Sequence, residues 1–172
     1  RGLVLATAEY RWPRWSQGVR NGLGVGGYLI SLDGSEPRRD LGLGILGRFS
    51  PDGETYFTCP LVQDSGFNFD IHARPLDAAA EEARVLVSGP GVEWAPTPSP
   101  DGRYLAYSSD ESGINEVYLT TWPDLTGRWQ VSRGGGMWPH WKGDGSEIYY
   151  ATNREIMAVT VDRSDGLSLG RP

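Results

Sequence analysis

The chain has 172 residues, 22 acidic against 16 basic side chains, a net charge of −6 and an isoelectric point near 4.9. This is the length of one domain, too acidic for a surface that tracks nucleic-acid phosphates, and no apolar run is long enough to span a membrane as a helix. One cysteine excludes an internal disulfide, while 24 glycines, 12 prolines and 11 % aromatic residues without long helical periodicity predict an all-β chain.

Residues 1–7 parallel residues 102–108 and read as the second strand of a repeat whose first strand is missing. A segment dense in aromatic and cationic side chains follows, with Trp12, Arg14, Trp15 and Arg20 flanked by Tyr10 and Arg11 and no acidic residue. Tryptophan, tyrosine and arginine are the residues that dominate interface hot spots, so these four are the candidate partner-binding residues, on a loop inserted between second and third strands. A second register stays open, in which Trp12-Pro13-Arg14-Trp15-Ser16 matches Trp138-Pro139-His140-Trp141-Lys142 as a first strand. The run Gly22-Leu23-Gly24-Val25-Gly26-Gly27 precedes no helix that could hold a phosphate and reads as a flexible loop.

The tetrad Ser50-Pro51-Asp52-Gly53 returns as Ser99-Pro100-Asp101-Gly102 and, altered, as Lys142-Gly143-Asp144-Gly145. Proline presets φ for a turn, and Asp-Gly adds a side-chain acceptor and a residue free to take positive φ. Asp52, Asp101 and Asp144 are therefore assigned as structural turn residues and not as metal ligands or general acids. They follow one another at intervals of 49 and 43 residues, each ahead of a strand-length run. A period of about 40–50 residues with several short strands per unit is the signature of propeller blades.

The predicted units are residues 1–44, 45–89, 90–135 and 136–172, four-stranded antiparallel blades of a β-propeller, about four in number, the first incomplete. Third strands are expected over 67–74, 115–121 and 155–161, and second strands over 103–108 and 147–151. Outer strands are expected over 83–87 and 128–132, with one helical turn within 75–84 and a final outer strand after Asp165. An incomplete first blade exposes a strand edge and an apolar face, so pairing with another copy of the chain is expected.

No catalytic constellation accompanies the repeat: there is no Gly-x-Ser-x-Gly, and the two histidines, His72 and His140, lie in different repeats. Cys59, between Phe57 and Leu61, reads as a buried small hydrophobe. Asp162-Arg163-Ser164-Asp165-Gly166 lacks the distal glutamate of a calcium loop and reads as a turn. No metal site and no cofactor is expected.

The stretch Pro100-Asp101-Gly102-Arg103-Tyr104-Leu105-Ala106-Tyr107-Ser108-Ser109-Asp110-Glu111-Ser112-Gly113, followed by Glu116-Val117-Tyr118, resembles the TolB-like β-propellers. Gly127-Arg128-Trp129-Gln130-Val131-Ser132 with Pro139-His140-Trp141 is most similar to propellers fused behind bacterial serine/threonine kinase domains. The resemblance is close over residues 96–172, fair over 45–87 and poor over 1–44. It implies a non-catalytic binding or sensing module with a protein or peptide partner, extracytoplasmic by family habit alone. The alternative it carries is the propeller of a serine peptidase.

Overall fold

The computed structural model describes residues 3–10, 24–35, 37–60 and 69–172. Among them are fifteen strands in four antiparallel sheets and a single 3₁₀ turn at Ala80–Glu82. The first sheet holds β1 (Leu3–Tyr10), β2 (Gly24–Ser31) and β3 (Arg39–Leu43). The second holds β4 (Ile45–Phe49), β5 (Thr55–Cys59), β6 (Ile71–Pro75) and β7 (Arg84–Val87). The third holds β8 (Glu93–Pro98), β9 (Tyr104–Ser109), β10 (Glu116–Thr121) and β11 (Arg128–Gln130). The fourth holds β12 (Met137–Trp141), β13 (Glu147–Ala151), β14 (Ile156–Asp162) and β15 (Ser168–Leu169). Strands follow chain order within every sheet, as in propeller blades.

The three-stranded first sheet is the incomplete blade. Its last strand, β3, hands over to β4 through Gly44 alone, just as β7 and β11 lead into β8 and β12, so β1 occupies the second-strand position. Tyr10 pairs with Gly24, and residues 11–23 link β1 to β2. The glycine-rich run is corrected by the same pairing. Gly24 to Gly27 form the start of β2, opposite Tyr10 to Thr7, and are not a loop. A Cβ on Gly27 would lie 2.7 Å from the Tyr56 hydroxyl, so glycine here admits the neighbouring sheet.

Sheets pack face to face in sequence. Leu29 and Leu41 meet Tyr56 across the first gap, and Phe57, Cys59 and Ile71 meet Leu105, Tyr107 and Tyr118 across the second. Ala106, Val117 and Leu119 meet Trp141, Ile148, Tyr150, Val159 and Val161 across the third. The third sheet is covered on both faces, which is why β9 and β10 are near-continuous buried runs. In β14, Val159 and Val161 are buried while Ile156, Ala158 and Thr160 face outward, the alternation of a sheet covered on one side.

Each tetrad closes a tight turn between the first two strands of its sheet. Gly53, Gly102 and Gly145 take φ of 76°, 69° and 72° and donate their N–H to the carbonyls of Ser50, Ser99 and Lys142 at 2.9, 2.9 and 2.8 Å. Asp52 accepts from the Glu54 amide at 3.0 Å, Asp101 from Arg103 at 3.2 Å and Asp144 from Ser146 at 2.9 Å. Four residues before each turn the inner strand carries a bulge. Leu46, Ala95 and Trp138 have φ of 60°, 54° and 59°, and the pairing register shifts beside each.

Asp101 does more than its two counterparts. Its second oxygen receives the Arg163 guanidinium from the β14–β15 turn, and Arg163 also donates to the Gly145 carbonyl at 3.2 Å, tying third and fourth sheets together. Burial pushes the Asp101 carboxyl up, but the Ser99 hydroxyl, the Arg103 amide and the two guanidiniums hold it below 3.8. A depressed folded pKa stabilises above the ordinary value and loses that stabilisation as pH falls through the folded one. Asp101→Ala should therefore cost about 1–2 kcal/mol at pH 7, shrinking below pH 3.8, in urea titrations at several pH values. A pH-independent loss would assign the effect to something other than this carboxylate.

Candidate binding face

In a four-stranded meander, the first–second and third–fourth connections leave at one end and the others leave at the opposite end. The Asp-Gly turns thus occupy one end of every sheet. At the other end are Tyr10 and Gly24, where β1 ends and β2 begins, the second–third connections 110–115 and 152–155, and the sheet-to-sheet links, 44, 88–92 and 131–136. Loops held on rigid strands are where binding residues concentrate.

The third-to-fourth link is fixed by a buried carboxylate. Glu116, 3 % exposed at the start of β10, accepts from the Ser132 hydroxyl and from the amides of Gly134 and Gly135 at 2.7 and 3.1 Å. Ser132 Oγ in turn accepts the Val117 N–H at 2.7 Å, and Gly136 donates to the Asn115 carbonyl at 2.8 Å. Beside this link lies a cleft of about 740 Å³, lined by Asn115, Arg133, Met137, Tyr150, Arg154 and Met157 among others. Arg133 and Arg154 are exposed, and among the described residues neither guanidinium is in an ion pair. The lining also holds exposed Glu155, so on a chain of net charge −6 the rim carries two guanidiniums against one carboxylate, a local excess of positive charge.

On the inner strands at the same end, Trp138 is 49 % exposed, the most accessible aromatic ring on this face among the described residues. Its ring meets Trp94 edge-on at 4.6 Å, and Trp94 is held by a 3.0 Å hydrogen bond from its indole N–H to Asn115. The Trp138 amide donates to Ser108 Oγ at 3.1 Å. The result is a fixed aromatic pair with one face open, the form an interface anchor takes.

Of the residues assigned from sequence, Trp12, Arg14, Trp15 and Arg20 lie outside the described residues, within the link from β1 to β2. Asp52, Asp101 and Asp144 lie at the opposite end from this face. His72, on β6, is half-buried, and burial lowers its pKa against the opposing charge of Asp70. His140 is exposed on β12, two sheets away, so the histidines share no site. Cys59 is fully buried, its thiol pushed up to about 12 by burial. Among the described residues no three His, Cys, Asp or Glu side chains gather to hold a metal ion, and no helix is long and apolar enough to cross a membrane. Sequence reasoning missed Glu116, Glu93, Arg74 and Trp138. The one available signal was an acid placed directly before a buried strand run, at Glu116-Val117-Tyr118 and Glu93-Trp94-Ala95.

No protein-family model and no curated protein matches the sequence. Solved structures do. A putative TolB from Agrobacterium tumefaciens superposes with a TM-score of 0.63 at 19 % identity, over 84 % of this chain and 56 % of that one. TolB from Acinetobacter baumannii gives 0.65 at 17 %, over 86 % and 37 %. A puromycin-hydrolyzing peptidase from Mycobacterium tuberculosis gives 0.59 at 19 %, over 96 % and 30 %. The fold is that of a TolB-like β-propeller. At these identities the likeness is one of fold, and the chain spans less than two thirds of each of the three proteins.

Proposed function

We propose that this chain is a non-catalytic propeller module that captures a protein or peptide partner at the end of the sheets opposite the Asp-Gly turns. The observation that carries the reading is Trp138, a half-exposed ring on a bulged inner strand, held by Trp94 and Asn115 beside the cationic cleft. β1 ends at Tyr10 and β2 begins at Gly24 on this same end, so Trp12, Arg14, Trp15 and Arg20, between them in sequence, are proposed to extend the contact. Rigid aromatic anchors supply contact area at low entropic cost, while Arg133 and Arg154 select acidic neighbours and speed encounter.

Selection from a random-peptide display library tests this. Enriched peptides should carry Asp or Glu and bind Trp138→Ala at least about tenfold more weakly, with the thermal midpoint within a few degrees of the parent. Peptides that bind Trp138→Ala undiminished, or a library that yields no binder, would overturn the reading.

A second reading is favoured by the peptidase superposition, which covers 96 % of this chain. In it the module is the propeller of a serine peptidase and the same face admits substrate. A Gly-x-Ser-x-Gly context elsewhere in the reading frame would support that reading, and a kinase domain would support the sensor.

A further inference from the structure

The cleft beside the third-to-fourth link joins two surfaces of unlike chemistry. Exposed Arg133 and Arg154 stand against one carboxylate, Glu155, so its rim is positive on balance. Ile114, 50 % exposed, lines the same cleft with Met137 and Met157, the chain's two methionines. Both methionines are half-buried, and Met157 packs on the core between the third and fourth sheets. Methionine is unbranched and polarizable, and surfaces built with it repack around apolar groups of different shape.

Both arginines rise from backbone that is already fixed. Arg133 stands between Ser132 and Gly134, which are bonded to Glu116. In the β13–β14 connection the Thr152 N–H donates to the Glu155 carbonyl at 2.9 Å, and the Thr152 hydroxyl accepts the amides of Arg154 and Glu155 at 3.2 and 3.1 Å. The loop that carries Ile114 is closed by Gly113 N–H on the Asp110 carbonyl at 2.8 Å and by the Ser112 hydroxyl on the Ile114 carbonyl at 3.1 Å. Gly136 ties that loop to the link through the Asn115 carbonyl. A wall ordered before binding loses little entropy when a ligand arrives.

We propose that this cleft takes an extended acidic segment of a protein partner, one aliphatic side chain set among Ile114, Met137 and Met157 and a carboxylate on either side of it at Arg133 and Arg154. The inference rests on the partner-binding reading and names the segment that the cleft holds. Successive side chains of an extended chain point to opposite sides, so an aliphatic side chain directed into the cleft leaves its acidic neighbours at the rim. A basic segment would meet two guanidiniums and a single carboxylate, and an uncharged one would gain nothing from the rim.

Calorimetric titration at low ionic strength with the peptide acetyl-Gly-Glu-Leu-Glu-Gly amide tests the proposal. Saturable binding with Kd at or below about 1 mM is expected, weakening as salt is added. Serine in place of the leucine should weaken it at least about fivefold through lost apolar burial, and glutamine in place of both glutamates by at least about as much. The double variant Arg133→Ala/Arg154→Ala, changed only at exposed positions, should bind the glutamate peptide no better than the parent binds the glutamine one. Ile114→Ser should weaken the leucine peptide and leave the serine peptide as it was. No saturable heat with the glutamate–leucine peptide, or equal affinity of the parent and the double variant for it, would overturn the proposal. The two readings fail separately. Display-selected peptides lost on Trp138→Ala but held undiminished by the double arginine variant would overturn the cleft assignment and keep the aromatic anchor. Peptides lost by the double variant and untouched by Trp138→Ala would overturn the anchor and support the cleft.

Discussion

Arg74→Met should lower the free energy of unfolding by about 2–4 kcal/mol, one of the two largest losses expected from a single change in this chain. Arg74 is only 5 % exposed, yet among the described residues no carboxylate forms an ion pair with it. Its guanidinium instead collects backbone carbonyls. One nitrogen donates to Pro75, Leu76 and Ala78 at 3.2, 3.3 and 2.6 Å, and the other to Leu41 at 3.3 Å. Leu41 belongs to β3 of the first sheet, so one side chain both folds the connection after β6 and fastens the incomplete blade to its neighbour. The guanidinium also lies 5.3 Å from the Tyr56 ring centre, in the apolar gap between those sheets. Methionine keeps the stem and its packing but removes every donor. Arg74→Lys keeps the charge on a point head that cannot reach four carbonyls, and it should recover less than half of the loss. Urea midpoints read both variants, and an Arg74→Met midpoint equal to the parent's would show that solvent replaces all four bonds at no cost.

The repeat made the architecture legible because turn chemistry is local. Proline, aspartate and glycine fix the same reversal wherever they stand, so Asp52, Asp101 and Asp144 marked three sheets before any packing was known. What escaped the sequence depends on neighbours. The bulges at Leu46, Ala95 and Trp138 use positive φ without glycine or asparagine, so nothing in the residue types announces them. Gly24 to Gly27 suggested a loop, because glycine is poor in strands taken alone. Pairing with β1 and the approach of Tyr56 to Gly27 give these glycines a place in a sheet. Arg74, Glu93 and Glu116 have the composition of exposed strand ends, and only the adjoining sheets and links bury them. The proposed binding face was legible as loops of the right end, but its proposed anchor was not: Trp138 sits in a motif that also fits a packed inner strand.

The second large effect is expected at Glu116. Glu116→Ala removes the acceptor shared by the Ser132 hydroxyl and by the Gly134 and Gly135 amides, at an expected cost of about 2–4 kcal/mol. Ser132 is fully buried and keeps only the bond it accepts from Val117, so its own proton is left without a partner. Glu116→Gln should be milder, about 1 kcal/mol, because its amide oxygen can still take the two glycine N–H groups while its amide nitrogen faces Ser132. The functional consequence follows from position. Residues 133–136 form one wall of the cleft rimmed by Arg133 and Arg154, and the Glu116 carboxylate fixes their path. Amide exchange at Gly134 and Gly135 should accelerate in Glu116→Ala under conditions where β9 and β10 stay protected, which places the opening in the link and not in the sheet. A ligand held in this cleft should bind the variant more weakly at temperatures where both proteins are folded, since it must now order the link that Glu116 orders in the parent. Slow exchange at both glycines in Glu116→Ala would mean that the link is held by the Gly136–Asn115 bond and its own geometry, and the wall of the cleft would then not depend on Glu116 at all.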